Sequence, residues 1–427
     1  MKLIKNKRGF TLVELLAVLV ILALLALLAG SAIMGSINKA EEQVTKTQEK
    51  AILNAAEKWS IDNSDKFDDI EGNTIQVGLD VVFVLDMSGS MTKTDIVSST
   101  GYSISRNQAM VEATNSAMNE LMTLNNNTRI GITLYGSSGI VFLPLNTYTS
   151  SNGSFVTYSS SKISTSSTLM VNGKTMSKKT QSLSGCTYTQ AGIASGASQL
   201  MNADNKQNRI PVIIMLSDGA PSIGASDYDN VLKYNSRSGS DLGTCQTAGD
   251  ENSSFGTIRS AMYYKNAVKE SYGGSAVFFY TIGFGLDAGS YEEAVLNPTK
   301  ANMENLSSKS SIAGSLYKKW KDDGKKNYSY ADGAYIGKMD ASTLKNLFIN
   351  ISNEVVEATK ITQVCVTVKD LYDGGYLSTE DIKMADGEAS STYVLMNFNE
   401  ATNQYNFSLA KNKQQEDDCK KLLEAQE

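Results

Sequence analysis

Leu79-Asp80-Val81-Val82-Phe83-Val84-Leu85 runs without a break into Asp86-Met87-Ser88-Gly89-Ser90-Met91. The first part is almost wholly apolar, as a strand must be when both faces of its sheet are covered. The second is a polar loop, and a chain that alternates such strands and loops with helices builds a doubly wound α/β domain. The segments that follow keep the alternation. Their patterns predict helix 106–122, strand 129–135, a short strand 140–143 and helix 190–201. Strand 211–217, helix 258–272, strand 276–282 and helix 291–296 come next. Strand 334–336 and helix 343–358 complete a domain expected over 79–359.

Ligands of open α/β sheets bind at the carboxyl ends of the strands. Three polar stations fall at such ends or in loops that could join them: Asp86-x-Ser88-x-Ser90, Gly185-Cys186-Thr187-Tyr188-Thr189 and Ser217-Asp218-Gly219. Taken alone, the first also suits a helix N-cap, where Asp and Ser are favoured. As a set, over roughly Leu79 to Ala358, the three are similar to the metal-ion-dependent adhesion site of von Willebrand A domains. The resemblance implies that Asp86, Ser88, Ser90, Thr187 and Asp218 hold Mg²⁺, or Mn²⁺ or Ca²⁺ in its place. The chemistry agrees: a hard cation prefers oxygen ligands, and Mg²⁺ keeps waters that a partner's Asp or Glu can replace. Asp80 precedes the apolar run and belongs to the far end of the strand.

The sequence has 427 residues, a net charge of −6 and no histidine. That length holds two or three domains, and the charge argues against nucleic acid as a partner. Without histidine there is no Ser-His-Asp or Cys-His pairing and no His-containing zinc site. No enzyme is expected. Gly173-Lys174-Thr175 has no apolar strand leading into it, so it is not a phosphate loop.

At the start, Lys2, Lys5, Lys7 and Arg8 precede a stretch from Phe10 to Ala29 that is apolar apart from Thr11 and Glu14. About twenty helical residues span a bilayer's hydrocarbon core, and the basic lead stays in the cytoplasm. Lys7-Arg8-Gly9-Phe10-Thr11-Leu12-Val13-Glu14 resembles the class III signal of type IV prepilins. The resemblance implies a leader at 1–9, cut after Gly9 by a prepilin peptidase, and methylation of the new terminus Phe10. It also implies that Glu14 pairs with the terminal amine of a neighbouring pilin subunit. A buried carboxylate meeting a buried ammonium sets register, because a misplaced subunit leaves both charges unpaired. Helix is expected over 10–64, with 10–33 in the membrane before assembly and in the filament core afterwards. Ile37, Ala40, Val44, Ala51, Ile52, Ala55, Ala56 and Trp59 give it an apolar stripe. A linker is expected over 65–78.

Long connections at 147–182, 222–255 and 314–332 read either as surface decoration or as a recognition rim around the metal. From Ile361 the pattern turns to alternation, in ITQVCVTVKDL, YVLMNFN and YNFSLA, which predicts three antiparallel strands. The stretch Val368 to Leu377 looks like the C-terminal modules of Gram-positive pilins. The likeness implies a pilin module at 360–427 that completes the N-terminal helix, with the α/β domain inserted between them. Cys186, Cys245, Cys365 and Cys419 allow three pairings into two disulfides. A Cys186–Cys245 bridge would staple two loops of the binding face, and Cys365–Cys419 would close the last module. The expectation is therefore a minor, tip-located pilin at the cell surface that adheres to host or matrix proteins through its metal. The alternative is a structural minor pilin whose α/β domain grips other pilins or assembly factors to prime filaments.

Overall fold

The computed structural model describes residues 45–64, 74–182, 185–222, 251–287, 289–309, 312–380, 382, 384–399, 404–410 and 412–424. Gly9, Phe10, Glu14, Cys245, the leader and the expected membrane segment 10–33 lie outside these. Among the described residues no helix is long and apolar enough to cross a membrane. The chain divides into two units, one of residues 75–361 with 399–403, the other of 1–74, 362–398 and 404–427.

In the larger unit the opening apolar run is the core of strand β1, Gly78–Asp86, buried along its whole length. The strands Thr128–Tyr135 (β2), Gly139–Asn146 (β3), Arg209–Ser217 (β4), Phe278–Phe284 (β5) and Gly333–Gly337 (β6) join it. They form a six-stranded sheet in the order β6-β5-β4-β1-β2-β3. Every pairing is parallel except β2 with β3. Side chains of a strand alternate between faces, so Val81, Phe83 and Leu85 enter one core and Val82 and Val84 the other. Helices α1, Arg106–Leu124, and α4, Ala341–Glu357, cover the first face. Helices α2, Thr189–Met201, and α3, Glu251–Ser271, cover the second. Burial on both faces explains why the strand sequence shows no polar alternation. Gly196 lets α2 lie close to the sheet, since a Cβ there would meet Val84 Cγ2 at 2.6 Å.

Several stretches depart from expectation, each for a physical reason. Helix α3 begins at Glu251, seven residues ahead of Ile258 where apolar spacing starts. Its first turns bury Ser253, Ser254 and Thr257, and the Thr257 hydroxyl donates to the Ser253 carbonyl at 2.8 Å. Hydroxyls satisfied by their own helix hide it from a hydrophobic pattern. Residues 314–332, expected as a loop, hold most of helix Ile312–Asp322, which buries Ala313, Leu316 and Trp320. Residues 147–182 form two three-stranded antiparallel sheets. Tyr148, Phe155, Val156, Ile163 and Leu169 from this segment join the main core. Asn115 of α1 accepts from the backbone N–H of Phe155 (2.9 Å) and Val156 (3.0 Å) and donates to the Val156 carbonyl at 2.8 Å. Much of this connection is thus a packed layer.

In the smaller unit, Ile52, Ala55, Ala56 and Trp59 of helix 45–62 pack with Val364, Val366, Leu371, Val394 and Met396. The three expected strands are Lys360–Thr367, Tyr393–Asn399 and Gln404–Leu409. Thr74–Gln76 joins them as a fourth, so the expected linker 65–78 is structured from Thr74 onward, with Gly78 already in β1. The first strand stops at Thr367, short of the expected Leu371, because Thr367 and Asp370 form a capping box that starts helix Val368–Asp373. A final helix, Lys413–Glu424, was not anticipated. It carries Cys419, which is disulfide-bonded to Cys365, the pairing expected to close this module. Cys186 is also disulfide-bonded.

Candidate metal centre

Strand register decides which loops meet. Leu85 pairs with Leu216 and Asp86 with Tyr135, so β1, β2 and β4 end level with one another. The loops after β1 and β4 therefore open side by side, and they carry Asp86-x-Ser88-x-Ser90 and Asp218. Asp86 is fully buried. Its Oδ1 accepts from the Ser88 N–H at 2.8 Å, and its Oδ2 from Ser217 Oγ at 2.9 Å and Tyr135 OH at 3.3 Å. The Ser88 and Ser90 hydroxyls are 2.9 Å apart, and Ser90 Oγ donates to Asp218 Oδ1 at 2.7 Å. Four of the five expected ligands are thus joined in one hydrogen-bonded string.

Thr187 arrives on a third loop that is bonded to both others. The Gly89 N–H donates to the Gly185 carbonyl at 3.3 Å. On the other side, the Thr187 N–H donates to Ser222 Oγ at 2.9 Å, and the Ser222 N–H to the Thr187 carbonyl at 3.1 Å. Gly185 has φ +92° and lies against Ser137, where an added Cβ would come within 2.1 Å of Oγ. Only glycine fits that approach. Asp80 is placed as expected, near the opposite end of β1, where it accepts from Arg129, Arg209 and Tyr272.

Burial, then the charge of Asp218, pushes the Asp86 carboxyl up to about 7, against hydrogen bonds from Ser88 and Ser217 that favour its ionised form. Burial likewise holds the Tyr135 hydroxyl well above the ordinary tyrosine range. Two buried carboxylates that repel one another, with serine hydroxyls strung between them, form a place short of positive charge. The donors are all oxygen, which fits a hard divalent cation. Among the described residues no group of three or more His, Cys, Asp and Glu gathers as a metal site. The candidate centre is of another make, two carboxylates with three hydroxyls.

The sequence reading missed Arg106. Its Nη1 donates to Asp218 Oδ2 at 2.9 Å, while Nε and Nη2 hold Asp95 at 2.9 and 2.6 Å. The Asp95 carboxyl is held low chiefly by that hydrogen bond. A signal was present: Arg106 is the first residue of α1, where the helix dipole disfavours a cation. A basic residue there points to an acid that holds it.

The profile of the von Willebrand factor type A domain matches residues 81–220, and that of the prokaryotic N-terminal methylation motif matches residues 4–30. No curated protein sequence matches the chain. Among solved structures the chain is similar to the PilB minor pilin from Streptococcus sanguinis, at 15% identity and TM-score 0.39 over 66% of this chain and 62% of that one. It is also similar to the pilus adhesin SpaC from Lactobacillus rhamnosus GG, at 12% identity and TM-score 0.36 over 69% of this chain and 35% of that one. A further likeness is to the vWF domain of the type V pili tip protein Mfa5 from Porphyromonas gingivalis, at 13% identity and TM-score 0.34 over 66% of this chain and 96% of that one. The chain thus spans 62% of the length of the minor pilin and 35% of that of the adhesin. It thus carries a prokaryotic N-terminal methylation motif followed by a von Willebrand factor type A domain, which lies in the larger α/β unit.

Proposed function

We propose that this protein is a minor, tip-located type IV pilin that acts as a metal-dependent adhesin. The observation that carries the reading is the string Asp86–Ser88–Ser90–Asp218, an all-oxygen donor set with two buried carboxylates at the carboxyl edge of the sheet. Asp86, Ser88, Ser90, Thr187 and Asp218 would hold Mg²⁺, or Mn²⁺ or Ca²⁺. The ion supplies a Lewis-acidic position open to an acidic side chain of a host or extracellular-matrix protein. The site serves binding and not catalysis, because the sequence has no histidine and the Asp86 carboxylate is engaged by Ser88 and Ser217. Prepilin peptidase cleavage after Gly9, methylation of Phe10 and pairing of Glu14 with a neighbouring subunit carry the protein from the membrane into the surface filament.

A strain bearing Asp86→Ala tests the reading. Adhesion to matrix protein should be lost while filaments form normally. Lost filaments would instead show that the A unit primes assembly by gripping other pilins or assembly factors.

Arg106 competes with the cation for Asp218. Arg106→Gln keeps a donor for the carboxylate but removes the charge, and a charge-assisted hydrogen bond contributes about 1.5–3 kcal/mol. Calorimetric titration of this variant should show Mg²⁺ binding tightened by roughly tenfold. Weaker binding would mean that the guanidinium chiefly orients Asp218.

A further inference from the structure

Residues 147–182 hold four lysines, Lys162, Lys174, Lys178 and Lys179, and not one acid, in a chain whose net charge is −6. Three strands of this layer, Thr180–Ser182, Lys162–Thr165 and Val156–Ser159, lie antiparallel in that order. Residues paired across strands share a face of the sheet. The register pairs Ser182 with Lys162 and Lys162 with Ser159, then Thr180 with Ser164 and Ser164 with Thr157. One face therefore carries five hydroxyls and a single ammonium. The opposite face carries Val156 and Ile163, which are buried in the main core. A sheet covered on one side turns polar residues to water on the other, and that alone explains most of these hydroxyls. Ser182 has a second surrounding, because it lines a cleft.

The cleft has a volume of about 120 Å³, and Met87, Ser137, Ser138, Ile140, Gln181 and Ser182 are among its lining residues. A single water needs about 10–15 Å³ of such space, so one sugar ring fits. Hydrogen bonds fix the cleft between the loops of the candidate centre. Met87, which lies between Asp86 and Ser88, donates its N–H to the Tyr135 carbonyl at 2.6 Å, and Ser137 Oγ accepts from the Cys186 N–H at 3.1 Å. No described residue of the lining is charged. Ser137 keeps its hydroxyl proton to donate, and the hydroxyls of Ser138 and Ser182 meet no partner among the described residues. Hydroxyls and an amide both donate and accept, which matches a ligand whose own groups do both, as sugar hydroxyls do. Met87 and Ile140 add an apolar wall for the C–H face of a ring. The charge comes from the rim. Cross-strand partners keep their Cβ atoms about 4.5–5.5 Å apart, so the exposed Lys162 stands next to Ser182. Lys179 Nζ donates to the Phe142 carbonyl at 3.1 Å, two residues along β3 from Ile140. Among the described residues neither lysine meets a carboxylate.

We propose that the cleft is a second binding site, for one ring of an acidic polysaccharide, with Lys162 at the rim meeting the ring's carboxylate or sulfate. The hydroxyl face of the small sheet continues the contact along the sugar chain. This goes beyond the metal-dependent reading and does not rest on it, since none of the five expected ligands lines the cleft. A nucleic acid fits less well. Single strands bind by stacking bases on aromatic rings, and Tyr148 and Phe155 of this layer are buried. The layer also has no arginine, the side chain that grips phosphate in a planar fork.

Calorimetric titrations of the full chain in detergent, at physiological salt and with EDTA present, test the site. The probes are hexasaccharides of hyaluronan, which carry carboxylates, and of heparin, which carry sulfates as well. At least one should bind, roughly tenfold or more tightly than neutral maltohexaose or an oligothymidylate. Lys162→Gln should weaken that binding about fivefold, the upper range for an exposed charge pair. Lys174→Gln removes the same charge from the other small sheet and should change nothing. Ser138→Phe narrows the cleft and should abolish binding, with an unchanged melting temperature as the control for folding. No binding of either probe, equal binding of the neutral sugar or the oligothymidylate, or equal losses in the two lysine variants overturns the proposal. So does binding that appears only with Mg²⁺, which would move the glycan to the candidate centre. Each of these results leaves Asp86→Ala to decide the metal-dependent reading separately.

Discussion

Replacing Asp80 with alanine is expected to cost the larger unit about 3–5 kcal/mol of stability, the usual penalty for leaving a buried charge without its partner, and to leave cation affinity unchanged. Asp80 is fully buried and accepts from four donors, on β2, on β4 and in the turn that follows α3. Arg129 of β2 reaches it through Nε at 2.7 Å and Nη2 at 2.5 Å, Arg209 of β4 through Nε at 2.7 Å, and Tyr272 through its hydroxyl at 2.6 Å. This carboxylate pins three adjacent strands at their amino ends. Without it two guanidinium groups face each other. The Arg129 side chain, 20% exposed, can turn to water, whereas that of Arg209, 9% exposed and bonded to the Leu79 and Asn127 carbonyls, is held in place. The Tyr272 hydroxyl would lose the acceptor that, after burial, holds its ionisation above the ordinary range. Six residues of strand separate Asp80 from Asp86, roughly 20 Å at about 3.3 Å each, so the cation site should not notice. Urea unfolding of this unit's own transition, read beside calorimetric titration with Mg²⁺, checks both halves. A loss below about 1 kcal/mol would place the cluster with surface ion pairs.

Affinity for Mg²⁺ should fall about twentyfold to thirtyfold between pH 7.5 and 5.5, because a proton competes with the metal for a carboxylate that titrates near neutrality. Burial, then the charge of Asp218, raises Asp86 to about 7, and the cation requires the ionised form. Stability depends on pH differently with and without the metal. Between the ordinary aspartate range and 7 the folded metal-free protein holds a proton that the unfolded chain has released. Its stability therefore declines as pH rises through that window. With Mg²⁺ saturating, Asp86 is ionised in the folded and the unfolded chain alike and stability is flat over the same window, so the metal-induced gain in Tm should grow with pH, largest near pH 8 and smallest at pH 5.5. Thermal scans at a series of pH values with and without Mg²⁺ measure it. Asp86→Asn should abolish both the gain and its pH dependence. An affinity that stays flat across this range would show that Asp86 is ionised throughout.

Much of the α/β architecture was legible because burial on both faces leaves a strand no polar positions, as in Leu79–Leu85 and the VIIML run of β4. The three stations were also legible, in chain order and at strand ends. Their convergence was not, since it depends on register: Leu85 must face Leu216 for the loops bearing Asp86 and Asp218 to open together. The first turns of α3 escaped because serine and threonine fill their buried face. The hairpin 96–104 escaped because two residues on each side are too few to show alternation. The layer at 147–182 buries single apolar residues from short strands, a pattern that resembles any Ser/Thr-rich loop. Arg106 went unremarked because its partners lie 11 residues before it and 112 after it.

The cross-link between Cys365 and Cys419 bears on how a filament subunit carries load. Traction on the inserted unit reaches the smaller one both at Thr74 and at Thr362, where the chain crosses. Peeling from Thr362 meets the sulfur bridge three residues on, and the 54-residue stretch behind it cannot pay out. At about 3.5 Å per residue, roughly 190 Å of slack is withheld, so a pull that enters at Thr362 cannot draw that stretch out.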